Sequence, residues 1–116
     1  MSQMTYLIDG YLEAVYFTET GDVDQPPASA TLSPYFLSQA HIDCRNFFWA
    51  VTEGPALDGW VHLDWHLIGH DLWLTRNGHG TGFWDRPEIY GEGNAVLFTR
   101  IARAMGAHYA DFGAQE

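Results

Sequence analysis

The stretch from Asp71 to Asp85 constrains the fold more than any other part of this chain. Asp71-Leu-Trp-Leu-Thr-Arg76 has the aromatic and β-branched make-up of a strand, and Asn77-Gly78 follows it at once. Asn-Gly tolerates the positive φ angles of a tight hairpin turn, and Gly78, Gly80 and Gly82 add backbone latitude. A second aromatic run, Gly82-Phe-Trp-Asp85, stands where the returning strand would lie. The reading is an antiparallel hairpin, with Arg76 and Arg86 beside its turn and available to Asp71 and Asp85 across the strands.

Helices are expected on either side. Tyr6 to Phe17 carries Leu7, Ile8, Tyr11, Leu12, Val15 and Tyr16 at helical spacing, with Asp9 and Glu13 on the wet side. Gly10 weakens that helix by about 1 kcal/mol relative to alanine. Thr20 to Ser33 reads as loop, rich in Pro, Asp, Ser and Thr. Ser33-Pro34 then has the form of an N-cap followed by proline in the first helical position. The helix from Pro34 to about Val51 places Phe36, Leu37, Ala40, Cys44, Phe47, Phe48 and Val51 on one side, and Gly54-Pro55 ends it. Ala56 to Gly69 fits either a helical turn or an extended approach to the hairpin. After a glycine-rich loop from Pro87 to Gly93, a last helix spans Asn94 to Met105. Val96, Leu97, Ile101, Ala104 and Met105 line its apolar face, and Gly106 caps it. Ala107 to Phe112 is long enough for one closing strand. The expected fold is therefore α+β: two to three helices on a small antiparallel sheet, one domain over residues 1–116.

Charge narrows the range of functions. Fifteen acidic residues face five arginines and no lysine, a formal charge of −10. Neutralising nucleic-acid phosphates needs a basic face, as does binding an anionic membrane. Neither direct nucleic-acid binding nor membrane attachment is expected. Residues 1–44 hold six carboxylates (Asp9, Glu13, Glu19, Asp22, Asp24 and Asp43) and no arginine. A one-sided negative field steers a protein towards basic clefts, which belong to nucleic-acid-handling proteins, although the same charge also serves solubility. The single cysteine, Cys44, cannot form an internal disulfide, which suits a reducing cytoplasm. Met1 to Gly10 lacks the basic start and apolar run of a signal peptide.

The segment HDLWLTRNGHGTGFWDR, His70 to Arg86, resembles a motif of a family of small acidic proteins encoded by bacteriophages and other mobile elements. The opening YLEAVYFTET is similar to that family's start, as is Asp43-Cys44 followed by Phe47. The resemblance runs in order over most of the chain. It implies origin more strongly than mechanism. Small acidic phage proteins without a cofactor motif often act by occupying a host protein, as anti-CRISPR proteins do, and that analogy raises the inhibitor reading.

Chemistry-bearing patterns are few. His62-Leu-Asp-Trp-His66, with His70 and His79 nearby, is the densest histidine cluster. On one helix His62, His66 and His70 would share a face able to bind zinc, with Asp64 or Asp71 adding oxygen. Yet no Glu follows His62 as a zincin motif requires, Gly69 interrupts the register, and loop or surface histidines are the more ordinary reading. Cys44 on the apolar side of its helix reads as a core residue rather than a nucleophile. Gly78, Gly80 and Gly82 open no helix directly, so they do not make a phosphate loop. Trp73, Phe83 and Trp84 suit a ligand stack, or more simply a core.

The sequence thus points to a non-enzymatic inhibitor from a phage or mobile element, working in the host cytoplasm without a cofactor. Its partner would be a host defence protein with a basic nucleic-acid-binding surface, such as a CRISPR–Cas effector or its recruited nuclease. Glu13, Glu19, Asp22 and Asp24 are the candidate contacts. The alternatives are a small metal-dependent enzyme built on His62, His66 and His70, and a phage accessory protein with an unrelated partner.

Overall fold

A computed structural model describes residues 2–20, 32–53, 63–78 and 81–109. Those residues form helices and no sheet: α1 (Gln3–Thr20), α2 (Pro34–Thr52), α3 (Trp65–Arg76), a 3-10 turn (Phe83–Asp85), the short α4 (Pro87–Tyr90) and α5 (Glu92–Ala104). The expected α+β fold gives way to an all-helical one.

The correction lies in the stretch expected to be a hairpin. Asp71 to Arg76 is the second half of α3, not a strand. Asp64 caps the start of α3, its carboxylate accepting from the Leu67 amide at 3.1 Å. From Asp71 to Arg76 every residue of α3 is buried. A helix enclosed on all sides shows no 3.6-residue alternation of apolar and polar positions, so Leu-Trp-Leu-Thr takes on the look of a strand. Asn77-Gly78 is equally two-faced. Gly78 has φ +66, the left-handed residue that stops a helix, and the Asn77 side chain donates to the Trp73 carbonyl at 3.0 Å. Phe83 to Asp85, expected as the return strand, is the 3-10 turn, closed by the Asp85 carboxylate accepting from the Gly82 amide at 3.1 Å. Of the expected closing strand, Ala107 to Tyr109 has no regular structure, and the remaining residues lie outside the described ones, as do Gly54-Pro55 and most of the Thr20–Ser33 loop.

The flanking helices follow the expected patterns more closely. Ser33 caps α2, accepting from the Phe36 amide at 3.1 Å, with Pro34 in the first turn. Phe36, Ala40, Cys44, Phe47 and Val51 are buried along it. In α1, Leu7, Tyr11, Ala14 and Val15 are buried, while Ile8, Leu12 and Tyr16 pack at the edge of the core. The apolar face of α5 is rotated from the expected one: Ala95, Phe98 and Ala102 are buried, whereas Val96 is 57% exposed.

Helix α3 is the axis of the molecule. Helix α1 packs along it more extensively than any other pair of described elements do. Gly10 and Gly69 make that approach possible, because a Cβ at position 10 would overlap the carbonyl oxygen of His66, and one at position 69 that of Leu7. Two aromatic clusters fill the remaining space. Phe47, Phe83, Tyr90 and Phe98 join α2, the 3-10 turn, α4 and α5, with Phe83 and Phe98 centroids 5.2 Å apart. Tyr11, Phe36, Trp73 and His108 form the other, where His108 stacks on Phe36 at 4.3 Å. Edge-to-face and offset rings of this kind add about 0.5–1.5 kcal/mol per pair beyond their buried area.

Candidate functional site

Several polar residues of the His70–Arg86 motif are held in two separate internal networks. The first is centred on Arg76, at the end of α3. Its guanidinium donates to Asp43 Oδ2 at 2.9 Å, to the Tyr11 hydroxyl at 3.0 Å, and to the carbonyls of Gly106 at 2.8 Å and Met105 at 3.2 Å. One planar cation thereby joins α1, α2, α3 and the segment after α5, a task suited to the fixed donor fork of arginine. The Gln39 amide donates to the other Asp43 oxygen at 3.1 Å, and Asn77 Oδ1 accepts from the His108 amide at 2.8 Å. Arg76 can only donate, so the Tyr11 hydroxyl accepts from it. The hydroxyl proton then goes to His108 Nδ1, 2.8 Å away. That assignment requires a neutral His108. Burial, followed by the Arg76 charge, indeed holds the pKa of His108 below the usual histidine value. Burial also pushes the Tyr11 hydroxyl and the Cys44 thiol upwards, so both stay protonated and Cys44 is not an activated nucleophile.

The second network surrounds Asp71, whose side chain is fully buried. Its Oδ2 accepts from the Tyr90 hydroxyl at 2.7 Å and from Arg86 Nε at 2.8 Å. The expected Arg86–Asp71 pairing is present, but it ties a helix to the segment beyond the 3-10 turn instead of crossing a hairpin. Arg76 pairs with Asp43, and Asp85 is spent on its own turn. Asp71 Oδ1 and His70 Nδ1 lie 4.0 Å apart, both buried and without a hydrogen-bond partner. Burial lowers the His70 pKa against the opposing pull of Asp71 and Glu13.

The expected histidine cluster is only partly brought together. His66 and His70 lie one turn apart on α3, and His66 Nε2 is 3.6 Å from the Glu13 carboxylate of α1. Asp64 is used as the α3 cap and Asp71 as the partner of Arg86 and Tyr90. His62 and His79 lie outside the described residues. Among the described residues no three His, Cys, Asp or Glu side chains are grouped to hold a metal ion, and no helix is long and apolar enough to cross a membrane.

Charge at the surface is segregated by helix. Arg76 and Arg86 are taken up by internal ion pairs, which leaves Arg45 on α2 and Arg100 and Arg103 on α5 as the exposed arginines. Helix α1 carries Asp9, Glu13 and Glu19 and no basic residue. Of the candidate contacts, Glu13 is 43% exposed, Glu19 sits in the last turn of α1, and Asp22 and Asp24 lie outside the described residues.

On α5 the structure shows a concavity that the sequence reading did not foresee. Trp84 and Pro87 form one wall and Ala95, Val96, Arg100 and Arg103 the other, enclosing about 510 Å³, with Glu92 at the far end. The Arg103 guanidinium lies 4.9 Å from the centroid of the Trp84 ring. That ring rests over Gly82, where any side chain would displace it. The available signal was Ala95, Val96, Thr99, Arg100 and Arg103 at helical spacing, an outward stripe obscured by assigning Val96 to the core. Compared with protein-family models, with curated proteins and with solved structures, the chain gives no significant match in any of the three.

Proposed function

We propose that this chain is an acidic inhibitor, encoded by a phage or mobile element, that occupies the basic nucleic-acid-binding surface of a host defence protein. In this reading the partner is a CRISPR–Cas effector or its recruited nuclease, and the chain blocks access of nucleic acid or of the nuclease. The observation that carries the reading is the distribution of charge. Two of the five arginines are held by carboxylates within the fold, and α1 carries Asp9, Glu13 and Glu19 with no basic residue of its own. A segregated negative face raises the encounter rate with a basic cleft and fixes the orientation of approach. The phage origin rests on the resemblance of the His70–Arg86 segment.

The test is a plasmid-interference assay in cells with an active CRISPR–Cas system. Expression of the chain is expected to rescue a targeted plasmid. Glu19→Gln, Asp22→Asn and Asp24→Asn together should reduce that rescue, while the control set Glu53→Gln, Glu88→Gln and Glu116→Gln should not. With the purified target, association should slow as salt is raised, and the first set should slow it further. No rescue in any CRISPR–Cas type, or equal rescue by both sets, would defeat the proposal.

A further inference from the structure

We infer that the groove between Trp84 and α5 is a second binding site, one that receives an acidic segment of a partner protein bearing a large apolar side chain. The site is distinct from the acidic face of α1 and stands whether or not that face binds a defence protein. Its walls are fixed in advance. Gly82 leaves room for the Trp84 ring, Asp85 closes the turn that presents it, and Phe83 next to it is fully buried in the aromatic core. Ala95 and Pro87 give the groove an apolar lining, and Val96 is left 57% exposed at its edge. A pre-formed concavity of about 300–1,000 Å³ with an apolar lining and a few placed charges is the usual form of a binding site.

Charge selects the occupant. In a chain of formal charge −10, Arg100 and Arg103 lie side by side at one end of the groove, and neither has an acidic partner among the described residues. Paired guanidiniums match carboxylates in a bidentate geometry. Arg103 already lies over the Trp84 ring, so a carboxylate reaching it meets a cation that is held in place. Length selects a polypeptide over a small molecule. Glu92 and Arg103 are separated by about 16 Å of helix at the usual rise per residue. A second shallow concavity, lined by Glu92, Gly93, Val96, Leu97 and Arg100, continues the surface on the other side of Val96. Glu92 at the opposite end sets the polarity: the acidic residues of the segment lie towards Arg103 and its apolar side chain against Val96 and Trp84.

The experiment is selection of short random peptides, displayed on phage, against the full-length protein. Binding of the selected peptides is then measured to the parent and to the surface variants Arg100→Glu/Arg103→Glu and Val96→Arg. The expected result is a pool enriched in aromatic or large aliphatic residues followed by Asp and Glu. Each variant should lose at least about ten-fold in affinity, or about 1.4 kcal/mol, with its melting temperature retained. Amide NMR shifts on binding should centre on Ala95 to Arg103. A pool without acidic enrichment, or one that binds both variants as well as the parent, overturns the inference. So does indole-3-acetate binding as tightly as the best peptide, which would mark a small-molecule site. A dimer in sedimentation that Val96→Arg disperses would assign the groove to a second copy of this chain and overturn the inference equally.

Discussion

Gly10 of α1 lies against His66 of α3 so closely that no Cβ fits between them: an alanine at position 10 would overlap the His66 carbonyl oxygen. On helix propensity alone Gly10→Ala would stabilise α1 by about 1 kcal/mol. The obstacle is backbone, which cannot rotate away as a side chain would, and overpacking of this kind costs about 1–3 kcal/mol or more. Gly10→Ala is therefore expected to be a net loss. Gly69→Ala, against the Leu7 carbonyl, should be the same. Chemical denaturation decides the sign, and a stabilised Gly10→Ala protein would show that α1 and α3 do not meet as closely as described.

Arg76 and Asp43 provide a second test. Both are largely buried, with side chains 4% and 15% exposed. Removing one member of such a pair leaves the other charge uncompensated, at a cost of about 3–5 kcal/mol. Arg76→Met and Asp43→Leu should each destabilise strongly, and the double variant should be clearly less destabilised than the sum of the two. Strict additivity in that cycle would mean that the two groups are not coupled.

Acid should weaken the fold through His70 and His108. Burial holds both below the ordinary histidine value of 6.5 in the folded protein. Above that pH both are neutral, folded or unfolded, and their contribution is fully present. As pH falls through 6.5 the unfolded chain takes up protons first, so stability is lost progressively towards the lower folded values. Relief of the negative self-repulsion acts in the opposite direction in every variant, so the measurement is a difference. The parent should lose stability more steeply between pH 7 and 5 than His70→Gln/His108→Gln, both read by urea denaturation. Parallel profiles would contradict the buried, neutral histidines.

Gly78 ends α3 at φ +66, with no neighbouring atom in the space a Cβ would take. The cost of a side chain there is conformational, not steric crowding. Gly78→Asn should be mildest, Gly78→Ala intermediate at about 1 kcal/mol, and β-branched Gly78→Val the most costly. Thermal melts of the series test the order. Equal melting temperatures for the Val variant and the parent would remove the left-handed stop.

Parts of this architecture were plain in the residues and others were not. Helix α2 was readable from end to end because Ser33-Pro34 is a local start signal and one apolar face follows it. Helix α1 was readable for the same periodic reason, although it extends from Gln3 to Thr20. Helix α3 was not, since its neighbours bury Asp71, Thr75 and Arg76 along with Leu72 and Trp73, and erase the polar face that would have revealed its period. Asn-Gly serves a hairpin turn and a helix stop equally well, and only the tertiary surroundings choose between them. At the level of side chains, the Arg86–Asp71 pair was among the foreseeable ones. The Arg76–Asp43 pair, which joins the end of α3 to the middle of α2 from far apart in sequence, had no local signature. Trp84 was weighed together with Phe83, yet adjacent residues on a helical turn face different ways, and one is core while the other is the wall of a groove.

The enclosure of α3 has a further consequence for how chains of this kind diverge. The buried half of α3, Asp71 to Arg76, changes only in concert with the surfaces around it, whereas the outward stripes of α1 and α5 are not bound by core packing. The His70–Arg86 segment is thus a signature of how the scaffold is assembled. Two proteins that share it would share a chassis, and apart from the ring of Trp84, what each one grips would be written elsewhere, in the residues free to drift.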